Sequence, residues 1–267
     1  MVRGLYTAAS GSLVAQSAID SIANNLANVN TVGFKRTLLQ VQAQPQRDIY
    51  RIQTDPAGSP GAPAAAGVPT MQLIGTLGSG AQVYDTPAIM EQGPIAPTGN
   101  DLDVALSGPG FFTIRDGNNG IAYTRDGSFE RDAQGFLTVQ NGDRVLSDTG
   151  APIQLPPQGK VAIDRTGAIS VDGQPLAQLA ITEFGTTAAL RPLGAERFVN
   201  TGAANPRAAT NTSALQGSVE KSNADVVHSM VDLITNERWF DANQQVIQTE
   251  DTTTGQAIQT VGRTNAN

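Results

Sequence analysis

The chain has 267 residues, with 17 basic against 24 acidic side chains for a net charge of −7, one histidine, no cysteine, 28 glycines and 15 prolines. That balance argues against a nucleic-acid surface, and the absence of cysteine excludes disulfides, thiolate catalysis and thiolate metal sites. No apolar run approaches about 18 residues, and the opening residues lack the basic end and cleavage site of a secretory signal, so neither a spanning helix nor a cleaved leader is expected.

Helical periodicity opens the chain. Steps of three and four put Leu5, Ala8, Ser12, Ala15, Ile19, Ile22, Leu26 and Val29 on one seam, a coiled-coil type of pattern. Asn24, Asn25 and Asn28 lie off that seam as a stripe of amides. Asparagine is a poor helix former, and a carboxamide both donates and accepts. The stripe therefore reads as a contact to a neighbouring helix rather than as solvated surface. Gly33 suits the left-handed residue past a helix end, and Phe34 can pack back on Val29. Lys35 and Arg36 set positive charge beside the negative end of the helix dipole.

Past Arg36 the pattern fades into a glutamine-rich stretch ending at Pro45, and residues 46–54 read equally as strand or helix. Asp55 to Pro69 is a linker in composition, with twelve of fifteen residues Pro, Ala or Gly. From Leu73 the period becomes two. Short strands are predicted at 102–106, 111–115, 121–124, 128–130, 136–139, 144–146, 161–163, 168–171 and 176–184. Between them Asp116-Gly117, Asn119-Gly120, Asp126-Gly127, Asn141-Gly142 and Asp172-Gly173 are turn dipeptides. Residues 200–216 read as a polar return loop.

Helical pattern returns near the end. Ser222 or Asn223 is the expected cap of a helix to about Gly262, roughly 60 Å long at 1.5 Å per residue. Its seam, from Met230 and Leu233 through Glu237, Phe240, Gln244, Ile247, Asp251 and Thr254 to Ile258 and Val261, is polar at four positions. Such a helix suits neighbours on several sides, and Trp239 beside Phe240 reads as a packing anchor. Residues 1–53 carry five basic and two acidic side chains, and residues 217–267 carry three and seven. The two ends are thus opposite in charge, each exposed pair contributing about 0–1 kcal/mol.

Catalytic patterns are missing. His228 alone cannot form a zinc site of the HExxH type, and there is neither a G-x-S-x-G elbow nor a phosphate-binding GxxxxGK[ST] loop. Gly75, Gly78 and Gly80 miss the dinucleotide spacing. Asp116 and Asn118 begin a calcium-like loop, but Ile121 stands where the pattern requires glycine. Asp101 and Asp103, two apart, would share one strand face and form the best acid–base pair available, or Asp101, after Gly99-Asn100, simply ends a turn. No catalytic, cofactor-binding or metal residue is assigned.

Five stretches change the reading. ANNLANVNTVGFKR (Ala23 to Arg36), GLYTAASG (Gly4 to Gly11), TGNDLDVALSGPGFFTI (Thr98 to Ile114), YTRDGSF (Tyr123 to Phe129) and the tail Val219 to Asp251 resemble the bacterial flagellar rod, hook and basal-body family, in the family's order. The resemblance implies a structural subunit of the basal-body rod that polymerises through its terminal helices into a periplasmic drive shaft and transmits torque. It implies no enzyme activity, cofactor, small-molecule substrate or nucleic acid. The implied partners are copies of itself, other rod and hook proteins, and the flagellar type III export apparatus, through which the chain leaves without a cleaved signal. Ala151 to Gln174 and Ala242 to Arg263 look closer to the proximal-rod F-type than to the distal-rod G-type.

The expected architecture is α+β. Long N- and C-terminal helices (1–40 and 217–267) form a discontinuous coiled-coil-like core domain, residues 41–72 a linker, and residues 73–216 an antiparallel β domain. Expected subunit-interface residues are Asn24, Asn25, Leu26, Asn28, Val29, Thr31, Gly33 and Phe34 at one end. At the other they are Met230, Leu233, Arg238, Phe240, Asn243 and Ile247. The alternative is a secreted β-rich carbohydrate-binding module or hydrolase with accessory helices. Its aromatic platform is hard to build from one Trp and four Tyr, with Trp239 and Tyr6 on helices.

Overall fold

The structure, a computed structural model, describes residues 2–53, 70–117, 119–202 and 204–264. The linker Asp55–Pro69 and Asn118 of the calcium-like loop lie outside the described residues. By packing, the chain divides into two units. A β unit comprises Ser21–Leu38 and Thr86–Asp232, and a helix–ribbon unit comprises Met1–Asp20, Leu39–Asp85 and Leu233–Asn267.

Short antiparallel strands make the β unit. Its largest sheet runs Leu190–Gly194, Arg197–Asn200, Ile121–Thr124, Gly110–Arg115, Arg144–Val145, Leu137–Val139 and Phe129–Arg131 in spatial order. Ile181–Phe184 also pairs with Gly110–Arg115, and Pro206–Ala208 lies beyond it. Alternation explains why Gly110–Arg115 is central, because successive side chains leave a strand on opposite faces. Phe112 and Ile114 enter the larger core with Val104, Leu106, Phe129 and Leu137. Phe111 enters a second core with Leu190 and Phe198. Each such buried side chain contributes about 1.5–3 kcal/mol, so one strand holds two cores together.

The turn signals divide by mechanism. Asp172 (φ 50°) and Gly173 (φ 81°) form the expected two-residue turn between Ala168–Val171 and Gln174–Gln178. Gly127 serves close approach instead, since a Cβ there would fall 1.8 Å from the Val104 carbonyl oxygen. The 200–216 stretch is not a plain loop. It contains strands Pro206–Ala208 and Ser213–Gln216, the second paired with Val104–Ser107. Small and polar residues there leave too little apolar alternation to read. Asp101 and Asp103 do not share a strand face either, because Asp101 sits in a turn. Asp103 accepts from Thr98 Oγ1 (2.6 Å) and Asn100 Nδ2 (3.0 Å), which ties that turn down.

The two α-helices among the described residues, α1 (Val2–Ala27) and α2 (Val226–Thr264), are each shared between the units. The cap of α2 is Asp225, not Ser222 or Asn223. Asp225 Oδ1 accepts from the Val227 and His228 N–H groups at 2.8 and 3.3 Å, and its Oδ2 meets the His228 ring. Asn223 is committed elsewhere, as described below.

The fold class is α+β, but the expected coiled-coil-like helical core does not form. Among the described residues there are only two α-helices, and both buried hydrophobic clusters lie in the β unit. On α1 up to Asp20 the buried positions described are the small Ala8, Ser12 and Ala15, while Leu5 and Leu13 (71% exposed) face out. On α2, Met230, Ile234 and Trp239 (64% exposed) are uncovered. Knobs that small, set against a seam interrupted by Glu237, Gln244 and Asp251, cannot interdigitate as a coiled coil requires. In the helix–ribbon unit the helices instead approach glycine to polar side chain. A Cβ on Gly4 would lie 2.9 Å from Glu250 Oε1, and one on Gly11 would lie 3.0 Å from Asn243 Nδ2. Two ribbons complete this unit: Gln40–Ala43 with Ala81–Asp85, and Arg47–Gln53 with Thr70–Leu77.

Candidate assembly site

Within the β unit, the loop after α1 meets the strand that leads into α2. Glu220 ends the strand Ser218–Glu220, which pairs with Ile95–Pro97. Its side chain is wholly buried between two cations. Oε1 accepts from Lys35 Nζ at 2.5 Å and from the Gly93 N–H at 2.8 Å. Oε2 accepts from Arg125 Nη1 at 3.0 Å. Lys35 Nζ also donates to the Glu91 carbonyl (2.7 Å), and Arg125 Nη2 to that of Gly108 (2.8 Å). The Arg125 guanidinium lies over the Phe111 ring, 4.6 Å from its centre, while its Nε has no hydrogen-bond partner among the described residues.

Burial lowers the Lys35 pKa from its usual value, and Glu220 offsets part of that fall. Arg125 is shifted down for the same reason, again opposed by Glu220. One carboxylate thus serves two desolvated cations. Breaking a buried ion pair from one side costs about 3–5 kcal/mol, because the remaining charge is stranded.

Backbone contacts fix the loop around this group. Gly33 donates its N–H to the Glu220 carbonyl at 2.8 Å, and its φ of 70° is left-handed. A Cβ there would fall 2.4 Å from the Asp126 nitrogen. Arg36 N–H donates to Asn223 Oδ1 (2.7 Å), whose Nδ2 donates to the carbonyls of Ile89 and Glu91. The Asn25 carboxamide holds the backbone of one residue on both sides, with Nδ2 donating to Thr37 O (2.9 Å) and Oδ1 accepting from Thr37 N (2.8 Å).

The expected interface residues fall into several environments. Asn24 is exposed, Asn25 is buried on Thr37, and Asn28 donates to the Asn24 carbonyl. Leu26, Val29 and Phe34 are half-buried, and Gly33 is buried. Thr31 lines a cleft of about 460 Å³ with Asp126, Asn141, Glu196 and Arg197. Asp126 and Glu196 are both raised in pKa, chiefly by burial. Met230 is exposed at the start of α2. Leu233, Arg238, Phe240, Asn243 and Ile247 belong to the helix–ribbon unit, where Arg238 is exposed and the other four are half-buried.

Lys35 was expected to answer the helix dipole, yet α1 ends at Ala27 and Lys35 is spent on Glu220. Arg125 and Glu220 escaped the sequence reading, and Asn223 was read there only as a helix cap. The available signal was the charged residues Lys35, Arg125 and Glu220 inside three motif-bearing stretches: GFK, YTRDGSF and the start of the tail.

Comparison with known proteins finds the same three stretches. Residues 5–35 match the family described as flagella basal body rod protein. Residues 105–171 match the flagellar hook protein FlgE/F/G D1 domain, and residues 215–260 the flagellar basal body rod FlgEFG protein C-terminal family. Each match contains one member of the Lys35, Arg125 and Glu220 group. The chain is 34% identical to the flagellar basal-body rod protein FlgG of Borreliella burgdorferi, covering 96% of this chain and 97% of that one. It is also 34% identical to FlgG of Bacillus subtilis, over 94% and 96%. To the rod protein FlgF of Caulobacter vibrioides it is 27% identical, over 99% and 100%. Both subunit names occur, so these relatives do not separate the F-type from the G-type.

Proposed function

The chain belongs to the flagellar rod FlgEFG family, and from that premise we propose that it builds the rod through its two terminal helical segments. It is a structural subunit of the bacterial flagellar basal-body rod, not an enzyme. In the proposed assembly, α1 and α2 contact copies of this chain and other rod and hook proteins, and the strands of the β unit stay outside that contact. The rod crosses the periplasm, and the subunit reaches it through the flagellar type III exporter without a cleaved peptide.

The observation that carries this reading is the uncovered apolar surface of α2. Val227, Met230, Val231, Ile234, Trp239 and Ile258 are all exposed. Val227, Met230, Val231 and Ile234 recur at steps of three and four and so share one helix face, and an exposed apolar face of that kind marks a binding surface. Asn24, exposed beside a buried Asn25, is proposed to bond a neighbouring subunit, with Asn28 and Thr31 next to it.

Electron microscopy of basal bodies from a strain lacking the gene tests the role. Absent or truncated rods are expected, and intact rods overturn it. Ile234→Asp tests the route. The purified variant should keep the circular dichroism of the parent chain yet fail to restore rods, and normal motility would remove α2 from the interface.

A further inference from the structure

The β unit contains a device that rod building alone does not demand. We infer that Glu220 is a latch: the loop after α1 docks only when the chain's last strand has brought this carboxylate between Lys35 and Arg125. Lys35 and Glu220 are 185 residues apart in sequence, and Arg125 and Glu220 are 95 apart. With Glu220 away, docking the loop would bury the Lys35 ammonium near the Arg125 guanidinium with no anion between them. It would also leave the Gly33 and Gly93 N–H groups without their acceptors, which are the carbonyl and carboxylate of the same residue. Buried like charges and orphaned donors each oppose docking. Residues 33–37 are therefore held less firmly while the last strand is unplaced, and the grip on the end of α1 is complete only once that strand docks. Glu220 is in this sense a positioning residue, acting on α1 through Lys35.

The latch follows from this chain's own contacts and stands whether or not the terminal helices form the rod contact. The test is hydrogen exchange in the full-length monomer. Amides of Gly33, Arg36 and Thr37 report the loop, and those of Leu106 and Ile114 report the core. Glu220→Gln should accelerate exchange in the loop at least about tenfold and leave the core unchanged, since local opening is independent of global unfolding. A uniform acceleration means that Glu220 is merely structural, and no acceleration means that no latch exists. Either result overturns the inference.

A second variant guards against a poorly folded single change. Lys35→Met removes the cation that needs the carboxylate, so adding Glu220→Gln to it should open the loop much less than Glu220→Gln does alone. Purely additive effects in this cycle also overturn the latch.

Discussion

Gly33 is the residue on which the loop geometry turns most sharply. It combines a left-handed backbone with a Cβ position already filled by the Arg125–Asp126 peptide. Gly33→Ala should therefore destabilise the β unit by about 1–3 kcal/mol, the usual cost of overpacking, as measured by chemical denaturation. Asp126, beside it, carries a different constraint. Burial raises its pKa, and the neighbouring Asp103 adds to the rise. For an acid whose folded-state pKa lies above the unfolded value, stability is full below the unfolded pKa and falls as pH rises through the folded one. Asp126→Asn keeps the oxygen that accepts from Ser128 but removes the buried charge. A higher Tm than the parent at neutral pH is expected, with the difference vanishing below the ordinary carboxylate pKa of 3.8. Equal Tm values across that range would show the carboxylate to be fully hydrated.

At the scale of elements, the outer strands of the β unit are guarded. Leu190–Gly194 contains Pro192, Gln174–Gln178 contains Pro175, and Pro206–Ala208 begins with proline. Each lies at a sheet edge, where a missing N–H blunts pairing with another chain. Pro192→Thr should restore an outward donor and produce concentration-dependent aggregation in light scattering; unchanged scattering would assign the proline to the hairpin alone. The same scale shows what was legible in the sequence. Strands such as 111–115 and 168–171 were readable because apolar alternation and Asp-Gly turns act within a few residues. Strands 206–208 and 213–216 were not, because their pairing supplies order that small, polar side chains do not advertise. The Lys35–Glu220 pair could not be read either. Its partners are distant in sequence, and burial rather than residue type distinguishes it from a solvated surface pair. Both helices were visible, but their periodicity overstated how much apolar surface each could bury on the other.

Across the whole molecule, stability is unevenly placed. Both hydrophobic clusters lie in the β unit. In the helix–ribbon unit, α1 buries only Ala8, Ser12 and Ala15 among the described residues, and most of α2 beyond Leu233 is exposed. Segments with few buried apolar contacts open at low free energy. Limited proteolysis of the purified monomer should therefore cut α2 past Leu233 and the first turns of α1 while a fragment spanning 86–232 resists. Full protection of both helices in a proven monomer would contradict this.

If α1 and α2 form the rod contact as proposed, that unevenness bears on how copies of the chain can join. Two free molecules that meet must each immobilise a loosely held helix to gain one shared face, so a dimer in solution gives little return for the ordering. A molecule landing on an existing end meets helices already immobilised, and only the newcomer has to order. Growth then has a threshold concentration and a lag that preformed ends abolish, and a dilute pool of subunits stays monomeric until an end is offered.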